Sequence, residues 1–106
     1  MDVLASGAVT LRASPAVEHA VLPGGGTVTV WVGVPDDPYI EDKTQLTTVD
    51  LQLREGRSVL ASISTVLEPE DVSDGVALAR EVSRAIEAGE IGLHAHDLEQ
   101  FADRRP

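Results

Sequence analysis

Residues 27–34 (TVTVWVGV) constrain the fold of this 106-residue chain more than any other segment. Valine occupies every second position, so a β-strand here places its valines on one face and Trp31 on the other. A turn signal at residues 23–26 (PGGG) stands directly before this segment, and residues 17–22 before it are interpreted as a second strand. We therefore predict a β-hairpin whose valine face is core.

The rest of the chain extends this hairpin into a single α+β domain over residues 1–106. Apolar alternation predicts an antiparallel sheet of four to five strands, at about residues 3–12, 17–22, 27–34, 46–54 and 57–67. After Pro69 the apolar spacing becomes helical, which predicts helices at about residues 69–88 and 97–104. Because the strands precede the helices, we expect both helices to pack on one face of the sheet.

The other sheet face contains two large apolar residues, Trp31 and Leu60. In the predicted last strand, Val59, Ala61 and Ile63 share the core side, and Leu60 points the opposite way. An indole exposed alone is unusual, so we expect something to cover Trp31. The cover is either the N-terminal segment or the acidic loop of the same chain, or a second copy or another partner.

Composition narrows the possible functions. The chain has no cysteine, which excludes disulfides, thiolate metal sites and cysteine nucleophiles, and its formal net charge is −10. So large a negative charge disfavours nucleic acid and anionic membranes as partners. No apolar run is long enough to span a membrane and no secretion signal is recognisable, so we expect a cytoplasmic protein. No cofactor is indicated.

Residues 35–45 (PDDPYIEDKTQ) form a long polar segment between two predicted strands. The spacing of its acidic residues does not match that of a calcium-binding loop. We interpret it as either a solvated loop or a contact strip for a basic partner, with Tyr39 and Ile40 as the apolar anchor. The acidic candidates for that contact are Asp36, Asp37, Glu41 and Asp42.

The histidines give the clearest hypothesis of a metal or catalytic site. His94, His96 and Asp97 lie within four residues, and in an extended segment both imidazoles can bind one zinc ion, with His19 or a carboxylate completing the shell. The structural alternative is that Asp97 caps the last helix, His96 packs towards Phe101 and His94 is solvated.

Three functions follow as hypotheses. The preferred one is a small acidic, non-enzymatic interaction protein that binds or inhibits a basic-surfaced protein, as an immunity protein or antitoxin-like inhibitor does. One version of this hypothesis is a homodimer through the Trp31 face. The second is a small enzyme or a ligand- or metal-binding domain that uses His19, His94, His96 and Asp97. The third is a salt-adapted structural subunit without a site of its own.

Overall fold

The computed structural model describes residues 10–35 and 48–103. Within them, an antiparallel sheet pairs each strand with the next along the chain, in the order β1 (Ala16–Val21), β2 (Thr27–Gly33), β3 (Asp50–Glu55) and β4 (Ser58–Ser64). The helical elements follow the sheet: α1 (Val72–Glu87), α2 (Ala95–Leu98) and a 3-10 helix (Glu99–Phe101). This arrangement confirms the predicted α+β class.

The predicted strand at residues 3–12 is wrong where the structure describes it. Residues 3–9 lie outside the described part of the chain, and residues 10–12 form a turn rather than a strand. The Thr10 carbonyl accepts the Ser14 N–H at 2.8 Å, and the Thr10 hydroxyl accepts the Ala13 N–H at 3.3 Å. A threonine that bonds the backbone ahead of it in this way favours a turn.

Alternation along the strands sorts side chains onto two faces, as predicted for β2 and β3. Residues opposite one another in an antiparallel pair point to the same side. Val30 lies opposite Glu18 on β1 and Leu53 on β3, so these three residues share the face that turns towards the core. The fully buried side chains of this core come from strands, loops and helices: Leu11, Val30, Val32, Val49, Leu51, Leu53, Leu67, Leu78, Val82, Ile86 and Leu98.

A β-bulge reverses the expected facing of one valine in β4. The register between β3 and β4 shifts at Leu53 and Arg54, so that Ala61 lies opposite Leu53 but Val59 lies opposite Arg54. Val59 therefore shares the face of Arg54 and is 50% exposed, contrary to the predicted core position. The extra residue at Leu60 breaks the period of two on which that prediction depended.

Helix α1 begins three residues later than predicted because residues 68–71, which lead into it, make hydrogen bonds outside the helix. The Pro69 carbonyl accepts the Leu11 N–H at 2.7 Å, and the Asp71 carboxylate accepts the Glu68 N–H at 2.8 Å. Leu11 then packs against the first turns of the helix. A Cβ placed on Gly75 would stand 2.7 Å from Leu11 Cδ1, so Gly75 allows this close approach.

Two polar contacts fix the direction of α1 along β1. The Arg80 guanidinium lies 3.6 Å from the Glu18 carboxylate, and Glu87 near the helix end accepts the backbone N–H of Val21 at 2.8 Å. The helix thus starts beside Leu11, before β1, and ends beside the last residue of that strand. No helix in the described ranges combines the length and hydrophobicity that a bilayer span requires.

The last helical segment differs from the predicted helix at residues 97–104. Helix α2 begins two residues earlier, with His94 as an extended N-cap residue whose side chain makes no capping bond. Asp97 therefore lies inside the helix, where its carboxylate accepts the Gly92 N–H at 3.2 Å. Leu98 and Phe101 are buried, as predicted, and residues 104–106 lie outside the described residues.

Candidate binding surfaces

The strand residues that point away from the core form a continuous polar and apolar surface, which we call the outer face. Strand pairing sets its rows, because Val17, Trp31, Gln52 and Ser62 lie opposite one another across all four strands. The outer face comprises Val17, His19, Val21, Thr27, Thr29, Trp31, Asp50, Gln52, Arg54, Val59, Ser62 and Ser64, with the exposed bulge residue Leu60 at its β4 edge.

Trp31 is covered by its own chain. The Arg54 guanidinium carbon lies 4.0 Å from the centroid of the indole ring, in cation–π geometry, and Arg54 Nε donates to Gln52 Oε1 at 2.7 Å. The indole also reaches along the strand over Gly33, where a Cβ would stand 3.0 Å from its ring. Trp31 is 9% exposed and Gln52 6%. The surface that Trp31 offers to a partner is therefore the guanidinium above it rather than a bare indole.

Asp50 is the acidic group of the outer face. Burial raises the pKa of the Asp50 carboxyl above its ordinary value of 3.8, and side-chain hydrogen bonds from Ser64 and Ser62 act in the opposite direction. Asp50 and Arg54 stand two residues on either side of Gln52 on β3. The middle of the outer face thus presents a carboxylate, an amide and a guanidinium along one strand, β3.

Exposed apolar side chains lie on both edge strands of the sheet. Val17 and Val21 lie on β1, and Val59 and Leu60 lie on β4, at the bulge. Leu60 is exposed, as expected from the sequence. The exposed fractions of these four side chains lie between 41% and 56%.

Acidic residues gather where α1 begins, at a surface that we call the acidic end. It consists of Glu68, Glu70, Asp71 and Asp74. Negative charge is favourable at the start of a helix, because the helix dipole is positive there. The Val49 N–H donates to the Leu67 carbonyl at 2.9 Å, which brings the acidic end next to the start of β3.

The acidic segment predicted as a contact strip joins the described chain at this same end. Pro35 and Thr48 flank residues 36–47. Pro35 lies two residues after Gly33 and Thr48 two residues before Asp50, and Gly33 and Asp50 are paired across β2 and β3. Arg12 is a basic residue at this end, next to Leu11. The candidates in the segment itself lie outside the described residues: Asp36, Asp37, Tyr39, Glu41 and Asp42.

The histidines do not converge on one site. The His94 and His96 rings stack at 5.8 Å between centroids, and His96 Nε2 lies 3.5 Å from Asp97 Oδ1. His19 is instead on the outer face, where its Nδ1 lies 3.3 Å from the Thr29 hydroxyl. No group of three or more His, Asp or Glu side chains in the described ranges is arranged to hold a metal ion. The metal hypothesis for His94, His96 and Asp97 gains no support.

A groove of about 380 Å³ lies between the second half of α1 and the last helical segment. None of its lining residues is a histidine, and its charged groups have mixed sign. It is lined by Glu81, Arg84, Ala85, Ala88, Glu90, Ile91, Gln100 and Phe101. The groove therefore brings together no nucleophile with a base, and the enzyme hypothesis gains no catalytic arrangement from it.

Comparison with known proteins adds no relative: no family model matches the chain, and no match was found among curated proteins or solved structures.

Sequence reasoning missed the outer-face roles of Arg54 and Asp50. Alternation places Asp50 and Gln52 on the side of Trp31, but nothing in the sequence indicates that Arg54 stacks on the indole across the strand pair. In the sequence, the residues of the acidic end are explained by a favourable helix start alone. The proximity of the acidic end to Thr48 depends on contacts between residues far apart in the chain.

Proposed function

We propose that this protein is a non-enzymatic binding protein whose acidic end docks a protein with a basic surface, which it sequesters or inhibits. The observation that carries the proposal is the gathering of Glu68, Glu70, Asp71 and Asp74 at one end of the sheet. The bond between the Val49 N–H and the Leu67 carbonyl places Glu68 next to Thr48, the residue that follows the acidic segment 36–47 in the chain.

The acidic end directs a basic partner to one part of the protein surface. A concentration of like charge at one end produces a field that steers an oppositely charged partner to that end and raises its association rate. The net charge of −10 attracts any basic protein at long range. The clustering of acidic residues at one end of the sheet orients that protein as it approaches. An immunity-type or antitoxin-like inhibitor uses this chemistry.

Self-association through the outer face is the second part of the proposal. The exposed side chains Val17, Val21, Val59 and Leu60 support it, because apolar groups on an otherwise polar sheet face favour contact with another protein. The two surfaces are separate, so a dimer leaves both acidic ends available.

A capture experiment tests the first part. The wild-type chain is immobilised beside two variants with equal net charge: Glu68→Gln, Glu70→Gln, Asp74→Gln at the acidic end, and Glu55→Gln, Glu90→Gln, Glu99→Gln away from it. Lysate of the source cell is applied, and retained proteins are identified by mass spectrometry after elution with salt.

We expect a defined basic protein to be retained by the wild type and by the second variant but not by the first. Elution at a few tenths molar salt is expected, because such salt shortens the screening length to a few ångströms. Equal retention by all three proteins, or retention of acidic proteins only, would contradict the proposal.

A further inference from the structure

We propose that the free edge of β4 pairs with β4 of a second copy of this chain, in an antiparallel register that places Ile63 on the two-fold axis and Ser62 opposite the partner's Ser64. This contact goes beyond the proposed function. It is separate from self-association through the outer face, because edge-to-edge pairing extends the sheet and leaves the outer faces uncovered.

The backbone groups of β4 point alternately towards β3 and away from it. The Thr65 N–H donates to the Val49 carbonyl at 3.0 Å, so Thr65 and Ile63, two residues before it, turn towards the neighbouring strand. The N–H and C=O groups of Ser62 and Ser64 therefore point out of the sheet. In the described part of the chain, no backbone or side-chain group bonds these outward donors and acceptors.

The opposite edge of the sheet, at β1, is already occupied by charged side chains of α1. Glu87 accepts the outward N–H of Val21 at 2.8 Å, and Arg80 lies 3.6 Å from Glu18 on the same strand. Charged groups at a sheet edge oppose pairing with another chain, because a second strand would have to displace or bury them. Strand β1 is therefore a poor site for strand addition.

Strand β4 has no charged residue to protect its edge. Residues 58–66 (SVLASISTV) contain neither a charged residue nor a proline, although 25% of the chain is charged. An uncharged edge strand that is rich in β-branched residues is of the type that pairs with another strand. A second copy fits this edge because the paired strands oppose no like charges, even though each chain carries a net charge of −10.

The outward groups of β4 favour one register. Opposite residues of an antiparallel pair exchange reciprocal N–H···O=C bonds at every second position. Pairing Ser62 with the partner's Ser64 uses the outward groups of both serines, on both sides of the axis. Pairing Ser62 with its own copy instead leaves Ser64 opposite the bulge at Leu60. The first register therefore satisfies more backbone groups.

The two ends of the free stretch limit the length of the pairing. On one side the Val66 N–H donates to the Ala102 carbonyl at 2.9 Å, and on the other the bulge at Leu60 bends the strand. In the proposed register the partner's Leu60 lies opposite Val66. The bend at the bulge thus allows the partner strand to leave the edge at the position where Ala102 is already bonded.

Ile63 provides the apolar contact on the axis. Its side chain packs against the core but is only partly buried, so some of it is exposed at the edge. In the proposed register it faces its own copy at a non-hydrogen-bonded position, where opposite Cα atoms are ~4.5 Å apart and side chains touch. The whole contact is smaller than the ~800 Å² per partner of a stable interface, so we expect a dissociation constant of about 100 μM.

Solvent exchange of single amides tests the edge on the unmodified chain. We expect the Ser62 and Ser64 amides to exchange at least about threefold more slowly at ~1 mM than at ~10 μM protein, because dimerisation gives them hydrogen bonds. The amides of Val17 and His19 point outward from β1, as that of Val21 does, and should exchange equally fast at both concentrations. Exchange at Ser62 and Ser64 that is independent of concentration in NMR spectra, or slowing confined to β1, would overturn the proposal.

Disulfide formation tests the register, since the chain has no cysteine of its own. Ile63→Cys places two thiols opposite each other on the axis, at a Cα separation that a disulfide allows. Ser62→Cys leaves its two copies about 8 Å apart, because they are offset by two residues along the paired strands, and this exceeds the ~7 Å limit.

We expect Ile63→Cys to form a disulfide dimer at least about tenfold faster than Ser62→Cys, because pairing raises the local thiol concentration only at the axis. Circular dichroism of both reduced variants verifies beforehand that each is folded, since Ile63→Cys shortens a partly buried side chain. Equal rates, or a faster reaction at position 62, would overturn the register.

These results separate β4 pairing from the proposed function. A dimer whose Ser62 and Ser64 amides exchange as fast as those of the monomer overturns pairing at β4 and leaves self-association through the outer face standing. A chain that stays monomeric at the higher concentration overturns both contacts. The acidic end belongs to neither contact, so the capture experiment tests it separately.

Discussion

At the scale of single residues, Gly75 shows how a tertiary contact overrides helix propensity. Alanine in a helix interior is worth about 1 kcal/mol over glycine, so Gly75→Ala should stabilise an isolated helix. Here the new methyl group would meet Leu11, which is fully buried and cannot move into solvent. Overpacking of this kind costs about 1–3 kcal/mol. We predict a net loss of about 1 kcal/mol in the free energy of unfolding.

A second substitution separates the clash from other effects. In the background of Leu11→Ala, which is itself destabilising by about 2–5 kcal/mol, the added methyl group has room and fills part of the cavity. Gly75→Ala should then be neutral or stabilising. Urea denaturation of the four proteins gives the coupling energy. A stabilising effect of Gly75→Ala in the wild-type background would contradict the account of this contact.

Asp50 provides a pH-dependent prediction at the same scale. Its pKa is raised above 3.8 in the folded protein, so the folded state holds this proton to higher pH than the unfolded state does. The unfolded state thus binds fewer protons just above pH 3.8, and the contribution of Asp50 to stability falls as pH rises through that window.

Asp50→Asn removes the poorly solvated charge and keeps groups that can bond Ser62 and Ser64. We expect the variant to be more stable than the wild type at pH 7, with the difference shrinking as the pH falls below 3.8. Thermal melts of dilute protein, in which the monomer predominates, provide the measurement. A variant less stable than the wild type at pH 7 would show that the serine hydrogen bonds outweigh desolvation.

At the scale of elements, both hairpin turns contain glycine at positive φ, Gly25 and Gly26 in the first and Gly56 in the second, and Gly24 provides a turn glycine without it. Gly56 has φ +60° between β3 and β4, and a Cβ there meets nothing within 4 Å. Gly24, in the turn between β1 and β2, is equally open but does not adopt positive φ. Gly56→Ala should therefore cost about 1–2 kcal/mol through backbone strain alone, whereas Gly24→Ala should stay within about 0.5 kcal/mol of the wild type.

Chemical denaturation of the two alanine variants is the test. Equal stabilities for Gly56→Ala and Gly24→Ala would mean that the turn at Gly56 adjusts its backbone without cost. A larger loss at Gly24 would contradict the assigned turn conformations.

The elements that sequence predicted well are those encoded locally. Strict alternation in residues 27–34, the glycines between β1 and β2, and Gly56 between β3 and β4 specify hairpins without reference to the rest of the chain. The elements that sequence missed depend on distant partners. The bulge at Leu60 has no side-chain signature, and the later start of α1 follows from the bond between Leu11 and the Pro69 carbonyl.

The candidate surfaces follow the same division. Alternation identified the face of Trp31, and composition identified the acidity. The position of Arg54 over the indole and the position of Glu68 next to Thr48 required the tertiary structure. Tyr39 and its acidic neighbours lie outside the described residues, so their role stays a prediction.

At the scale of the whole molecule, the two proposed associations respond to salt in opposite ways. Binding of a basic partner at the acidic end gains from long-range attraction, which salt screens. Self-association of a chain with net charge −10 is opposed by mutual repulsion, and salt relieves that repulsion. The third hypothesis, a structural subunit without a site, predicts that stability increases with salt. It predicts neither a partner whose binding salt weakens nor a self-association that salt strengthens.

The central claim is that Glu68, Glu70 and Asp74 form the docking surface for a basic protein. The most direct measurement is the dissociation constant of the captured partner across a salt series from about 0.05 to about 0.3 M, for the wild type and for the acidic-end variant. We predict that wild-type affinity falls at least about tenfold over this range and that the variant binds more weakly with a smaller salt dependence. Identical affinities and identical salt slopes for the two proteins would contradict the account.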